Sequence, residues 1–216
     1  MTSQLTWRRL AAVGILLGLA SLIATTLLQW MLQAGASSPT SAAHDEPSLW
    51  LLCGLLAVFG PLAWAAGVAV LTMQVRERGW VLTTIGGAVT ALGFGIGAAH
   101  LSLFFGLFAD LAGPGVGDGA ATAVMRADDG DPLTAILLIG FLVGFSLGPI
   151  ILMIGLRRAH RVAIWVPVAA LIAAVANFVG GPIAGAVQLA ALLATFLPAV
   201  LMLLRREDRA VPTASV

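Results

Sequence analysis

Six apolar runs follow one another along this chain, near residues 10–33, 48–73, 80–109, 133–156, 162–180 and 182–204. Each holds about 19 to 30 residues, enough to cross the hydrocarbon core of a bilayer at about 1.5 Å per residue. Backbone polar groups cannot go unpaired in lipid, so the runs must be helices or a closed barrel, and unbroken apolar runs without alternation choose helices. Composition agrees: 60% of the 216 residues are hydrophobic, only 10% are charged, and the mean hydropathy is +1.02. A soluble domain of this size needs far more charge to cover its surface. The expectation is an all-α bundle of six transmembrane helices, one membrane domain over 1–216, with the lipid bilayer as its first partner.

The charges orient it. All eleven basic residues are Arg. Arg8 and Arg9 precede the first run, and Arg76 and Arg78 lie between the second and third. Arg157, Arg158 and Arg161 separate the fourth and fifth, and Arg205, Arg206 and Arg209 follow the sixth. Only Arg126 falls on the other side, so the positive-inside rule places both termini in the cytoplasm. Trp7, Trp80 and Trp165 then fall at inner ends and Trp30 and Trp50 at outer ends, an aromatic belt. Arginine without lysine, amid abundant Ala and Gly, fits a GC-rich bacterial genome and a bacterial plasma membrane. Arg8-Arg9, an apolar run and Ala34-Gly35-Ala36 imitate a signal peptide. The run is about twice the usual length, so it reads as a retained helix. The outer segment 34–47 reads as a flexible connection, and 110–132, with five Asp and one Arg, as an acidic loop with a short helix around 119–127.

Small residues pattern the third and fourth runs. Gly86, Thr90, Gly93, Gly97 and His100 alternate spacings of four and three, which puts them on one helix face. Gly140, Gly144 and Gly148 form a double GxxxG in the fourth run, a glycine zipper, and Ala169, Ala173, Ala176 and Gly180 mark the fifth. Close approach between small residues is the usual adhesive between helices in lipid, so these three runs are expected to pack together. Pro61, after Gly60, and Pro149, after Gly148, read as helix breaks, and such interruptions sometimes mark transporter substrate sites.

His100 shares the glycine stripe and should face protein. Counted from the outer ends, His100, Asn177, Gln188 and Gln29 all fall in the outer half of the bundle, a candidate polar cavity. The same His100 equally reads as a neutral imidazole that fixes helix register. Cys53 reads as a small apolar filler without a metal or disulfide partner. The stretch GFSLG at 144–148 matches the GxSxG pattern, but that motif needs a strand-turn-helix elbow, and here it lies in a membrane helix. No span contains a carboxylate pair or a second His, so no catalytic residue, cofactor or metal is expected, nor any nucleic-acid partner.

The Arg pair, the short first outer loop, the tight inner turn and the segment LRRAHRVAIWVPVAALIA, with Trp165-x-Pro167, together resemble a family of bacterial six-helix membrane proteins of unknown function. That resemblance implies the fold and no site residues. The expected role is a non-enzymatic accessory subunit that binds a membrane-protein partner or a second copy through small-residue faces. The alternative is a small transporter or ligand-binding protein with an outward polar cavity around His100; a membrane-embedded enzyme stands third.

Overall fold

The computed structural model describes residues 2–76 and 78–205. Among these residues it is all helix: α1 (Thr2–Gly35), α2 (Pro39–Asp45), α3 (Pro47–Thr72), α4 (Trp80–Leu111), α5 (Asp118–Asp129), α6 (Pro132–Arg158), α7 (Trp165–Val179) and α8 (Gly181–Leu204). Five of them (α1, α3, α4, α6 and α8) are long and apolar enough to cross a membrane, and α7 is a shorter apolar helix of 15 residues. That is the make-up of a multi-pass membrane protein. The expected run at 162–180 thus yields a shorter helix, because the chain leaves α6 through a turn that runs on to Ile164.

The rods form a ring. α1 packs on α3, α3 on α4, α4 on α6, α6 on α7, α7 on α8, and α8 returns to α1. The α4–α6 seam is the most extensive, and α4 and α7 flank α6 without an extensive contact of their own, so the three do not form one mutual cluster. In the middle, Trp64 of α3 lies 4.8 Å from the Phe94 ring of α4 and 4.7 Å from the Phe196 ring of α8. All three are fully buried. Leu51, Phe59, Ile136, Ile139, Phe178 and Ile183 point outward and are exposed. An apolar exterior of this extent is unfavourable in water and suits a hydrocarbon surround.

The described arginines outside α5 gather at one end of the ring. Arg8 closes α1 onto α8: its Nε donates to the Leu203 carbonyl at 3.1 Å, and its Nη2 donates to those of Met202 and Arg205 at 2.9 and 2.8 Å. A cation on the last carbonyls of a helix satisfies otherwise orphaned acceptors and meets the negative end of the helix dipole. At the same end, α6 finishes in a Schellman turn. Arg161 N–H donates to Leu156 C=O and His160 N–H to Arg157 C=O, both at 2.9 Å, while His160 holds a left-handed φ of 56°. Arg206 and Arg209 lie outside the described residues.

Three expectations change. Residues 34–47 are not merely a flexible connection, because Ser38 and Ser41 form a reciprocal capping box with Pro39 at the first helical position, and this starts α2. Ala42 and Ala43 of that helix are buried. Pro61 and Pro149 are interior residues of continuous helices rather than breaks. Beside Pro61, the Ser21 hydroxyl of α1 donates to the Leu56 carbonyl at 2.6 Å, a polar contact at the weakened stretch of α3. Trp50 is no lipid-facing belt residue: it is buried against α4. By contrast Trp7, Trp80 and Trp165 are all exposed at the arginine end.

Candidate functional site

At the opposite end, α2 folds over the ends of α1, α3 and α4 and leaves a cavity of about 260 Å³. Its floor is aromatic. Trp50 packs 4.9 Å from Phe105 and 6.1 Å from Phe104, and its indole N–H donates to the Phe105 carbonyl at 2.9 Å. That bond fixes the ring plane, since an indole has only one donor to place. Gly54, one turn along α3 from Trp50, sits under Phe105, where an added Cβ would come 3.1 Å from the Phe105 Cβ. The rim is polar: Gln29 and Gln33, one turn apart on the same face of α1, and Ser37 and Ser38 ahead of α2. His44 of α2 meets the Ala112 carbonyl at 3.3 Å and ties α2 to the end of α4.

Among the described residues no titratable side chain lines this cavity. It offers amide and hydroxyl hydrogen bonds over an aromatic face, with no general acid or base and no nucleophile activated by one. An aromatic face under a few polar groups is the usual make-up of a small-molecule pocket. The volume lies just under the range of about 300 to 1,000 Å³ usual for drug-sized ligands.

The four polar residues singled out in the sequence occupy different places. Gln29 is half-buried and lines the cavity. Asn177 of α7 and Gln188 of α8 meet directly, the Gln188 amide N–H₂ donating to the Asn177 Oδ1 at 2.8 Å. Asn177 in turn donates to Ser146 Oγ of α6 at 3.5 Å. His100 is half-buried on α4, between Gly97 and the Phe104–Phe105 floor. Ser146, the centre of GFSLG, is buried inside helical α6 with an amide for a neighbour. An amide cannot take its proton, so this constellation lacks the base that a serine nucleophile needs. Among the described residues no three of His, Cys, Asp or Glu gather where they could hold a metal ion.

The glycines of α4 and α6 face each other. A Cβ on Gly93 would stand 2.5 Å from the Gly144 Cα, and one on Gly148 would stand 2.6 Å from the Thr90 N. Gly86 lies against the backbone of Ile151 and Leu152, and Gly97 under the Phe141 ring. Gly140 has more room, with the Ile96 Cδ1 at 3.2 Å from an added Cβ. A second close seam joins α1 and α3, where Cβ atoms on Gly14 and Gly67 would meet the Ala63 and Ala11 carbonyl oxygens at 2.7 and 2.6 Å. The sequence reading passed over that seam, although Gly14 and Gly18 stand four apart and Gly60 and Gly67 seven apart. The chain matches no protein-family model, no curated protein and no solved structure.

Proposed function

We propose that this is a six-crossing integral membrane protein of a bacterial plasma membrane, with both termini cytoplasmic, that binds a small, neutral, amphipathic ligand beneath α2. The single observation that carries the binding reading is the lining of the α2 cavity, an aromatic floor held by the Trp50 hydrogen bond under a rim of two amides and two hydroxyls. Six crossings are supported by the ring of six rods, in which α7 has two full neighbours. Its 15 residues reach about 22 Å, so the bilayer would thin there or the turn at residues 159–164 would sink toward the hydrocarbon. The cytoplasmic assignment rests on the arginines gathered at one end. Binding is preferred over an accessory role because the α4 and α6 glycines are occupied by each other inside the bundle, which removes them as a docking face for a partner.

The test is native mass spectrometry of the protein released gently from its host membrane, beside a Gln29→Leu/Gln33→Leu variant. The binding reading expects a small mass retained by the wild type and lost from the variant at an unchanged melting temperature. A wild type that carries nothing, or a mass that survives both substitutions, overturns it.

A further inference from the structure

The arginine end carries a second cavity, of about 470 Å³, lined by Arg76, Arg78, Gly79, Trp80 and Arg158 together with Val81 and Leu82. It lies where the α3–α4 turn meets the end of α6. Gly79, with φ 89°, is pressed against the Gly155 carbonyl and the Arg158 Cβ, so the two basic segments are held together by backbone packing rather than by chance proximity of long side chains.

Two kinds of arginine at this end contrast. The Arg8 guanidinium is committed to the carbonyls of Met202, Leu203 and Arg205 at the end of α8. The guanidinium groups of Arg76, Arg78 and Arg158 make no hydrogen bond or ion pair with any described residue, and no described carboxylate lines their cavity. Glu77, between the first two in sequence, lies outside the described residues. Three like charges around one concavity repel unless an anion joins them, and planar guanidinium forks suit phosphate oxygens. The start of α4 adds to the same wall: Gly79 supplies no side-chain cap, and the first backbone N–H to enter the helical ladder is that of Thr83. Trp80, exposed at this rim, is the residue type that settles at headgroup depth.

We propose that this cavity is a phosphate-binding site, filled either by the phosphodiester of an anionic glycerophospholipid or by soluble inorganic phosphate. Neutral amphiphiles of the α2 cavity play no part in it. The test measures thermal unfolding of the full-length protein in two arms: nanodiscs of phosphatidylcholine with increasing phosphatidylglycerol, and phosphatidylcholine nanodiscs titrated with sodium phosphate against sodium chloride of equal ionic strength. Wild type, Arg76→Gln/Arg158→Gln and Arg9→Gln are compared, the last removing a charge from an exposed residue of the same end that does not line the cavity.

Stabilisation in the first arm alone assigns a lipid headgroup, and stabilisation in the second assigns free phosphate. In either case the half-saturating concentration should rise about fivefold for each cavity arginine removed, and stay near the wild-type value in Arg9→Gln. Equal weakening by Arg9→Gln reduces the effect to general surface charge and overturns the site. So does the lack of any shift in both arms. The unliganded melting temperatures of the variants report whether they fold.

Discussion

The α4–α6 seam and the α7–α8 hairpin are held by different means. At the first, glycines bring backbone against backbone: Gly93 meets Gly144, and Gly148 meets Thr90, whose own hydroxyl turns back to the Gly86 carbonyl at 2.7 Å. At the second, the chain reverses at Gly180 and Gly181, both with positive φ, and a side-chain hydrogen bond from Gln188 to Asn177 crosses between the rods. Lipid tails are as apolar as leucine, so neither pair gains much from hydrophobic burial. What differs is how each degrades. Dispersion along a close seam is summed over many atoms and is lost wholesale when the helices are wedged apart. A single interhelical hydrogen bond contributes only about 0.6 kcal/mol on average, because the separated helices also find partners.

The largest effect is expected at the seam. Gly144→Ala places a Cβ against the Gly93 Cα, where backbone must move, and should cost about 3 kcal/mol. Gly140→Ala, four residues away on the same stripe, meets only the Ile96 side chain, at 3.2 and 3.3 Å and no backbone, and should cost less than about 1 kcal/mol. Unfolding in mixed detergent, followed by tryptophan fluorescence, measures both. Equal costs at the two glycines would mean that close approach is not what holds α4 to α6.

The hairpin should yield less. A double-mutant cycle over Asn177→Leu and Gln188→Leu isolates the 2.8 Å bond from the packing changes each substitution brings. Its coupling is expected near 0.6 kcal/mol and below about 1.7 kcal/mol. A coupling as large as the Gly144→Ala cost would erase the distinction between the two seams and make the polar contact an equal organiser of the bundle.

The two seams also differ in how far they can be read from sequence. Spacing alone puts Gly86, Thr90, Gly93 and Gly97 on one face, because helical periodicity is fixed. What lies across that face is another matter: Gly93 finds Gly144, but Gly86 finds the backbone of Leu152, a residue with no small-side-chain signature. Depth is similarly legible and azimuth is not. Gln29 belongs with α2, whereas Asn177 and Gln188 flank a two-glycine reversal that makes them neighbours. The α2 cavity depends on a helix whose signal, Ser38-Pro39-Thr40-Ser41, is a capping box with serine where glutamate or glutamine is usual. A small polar segment without that reading looks like a linker.

α6 takes part in the seam and also carries Ser146 toward Asn177, so its water-facing end gives a third kind of hold to set beside the other two. Asp131 caps α6 by accepting from the Thr134 N–H at 2.8 Å, with Pro132 at the first helical position. The backbone bond from Thr134 is the main cause that holds the Asp131 carboxyl below its usual value of 3.8, followed by the Thr134 side chain. A folded-state value below the unfolded one means that the charged cap stabilises above the usual carboxylate range, and that this contribution is lost as pH falls through the depressed value. The neutral amide introduced by Asp131→Asn accepts the same N–H at every pH. Between pH 5 and pH 3 the wild type should therefore lose more of its melting temperature than Asp131→Asn does, by a small margin, because the cap lies at the water-accessible end of α6 where solvent screens its charge. Gly144→Ala should lower the melting temperature without altering that pH response, since the seam contact between Gly144 and Gly93 involves no ionisable group. Parallel pH profiles for wild type and Asp131→Asn would show that the cap carries no charge-dependent part of the stability.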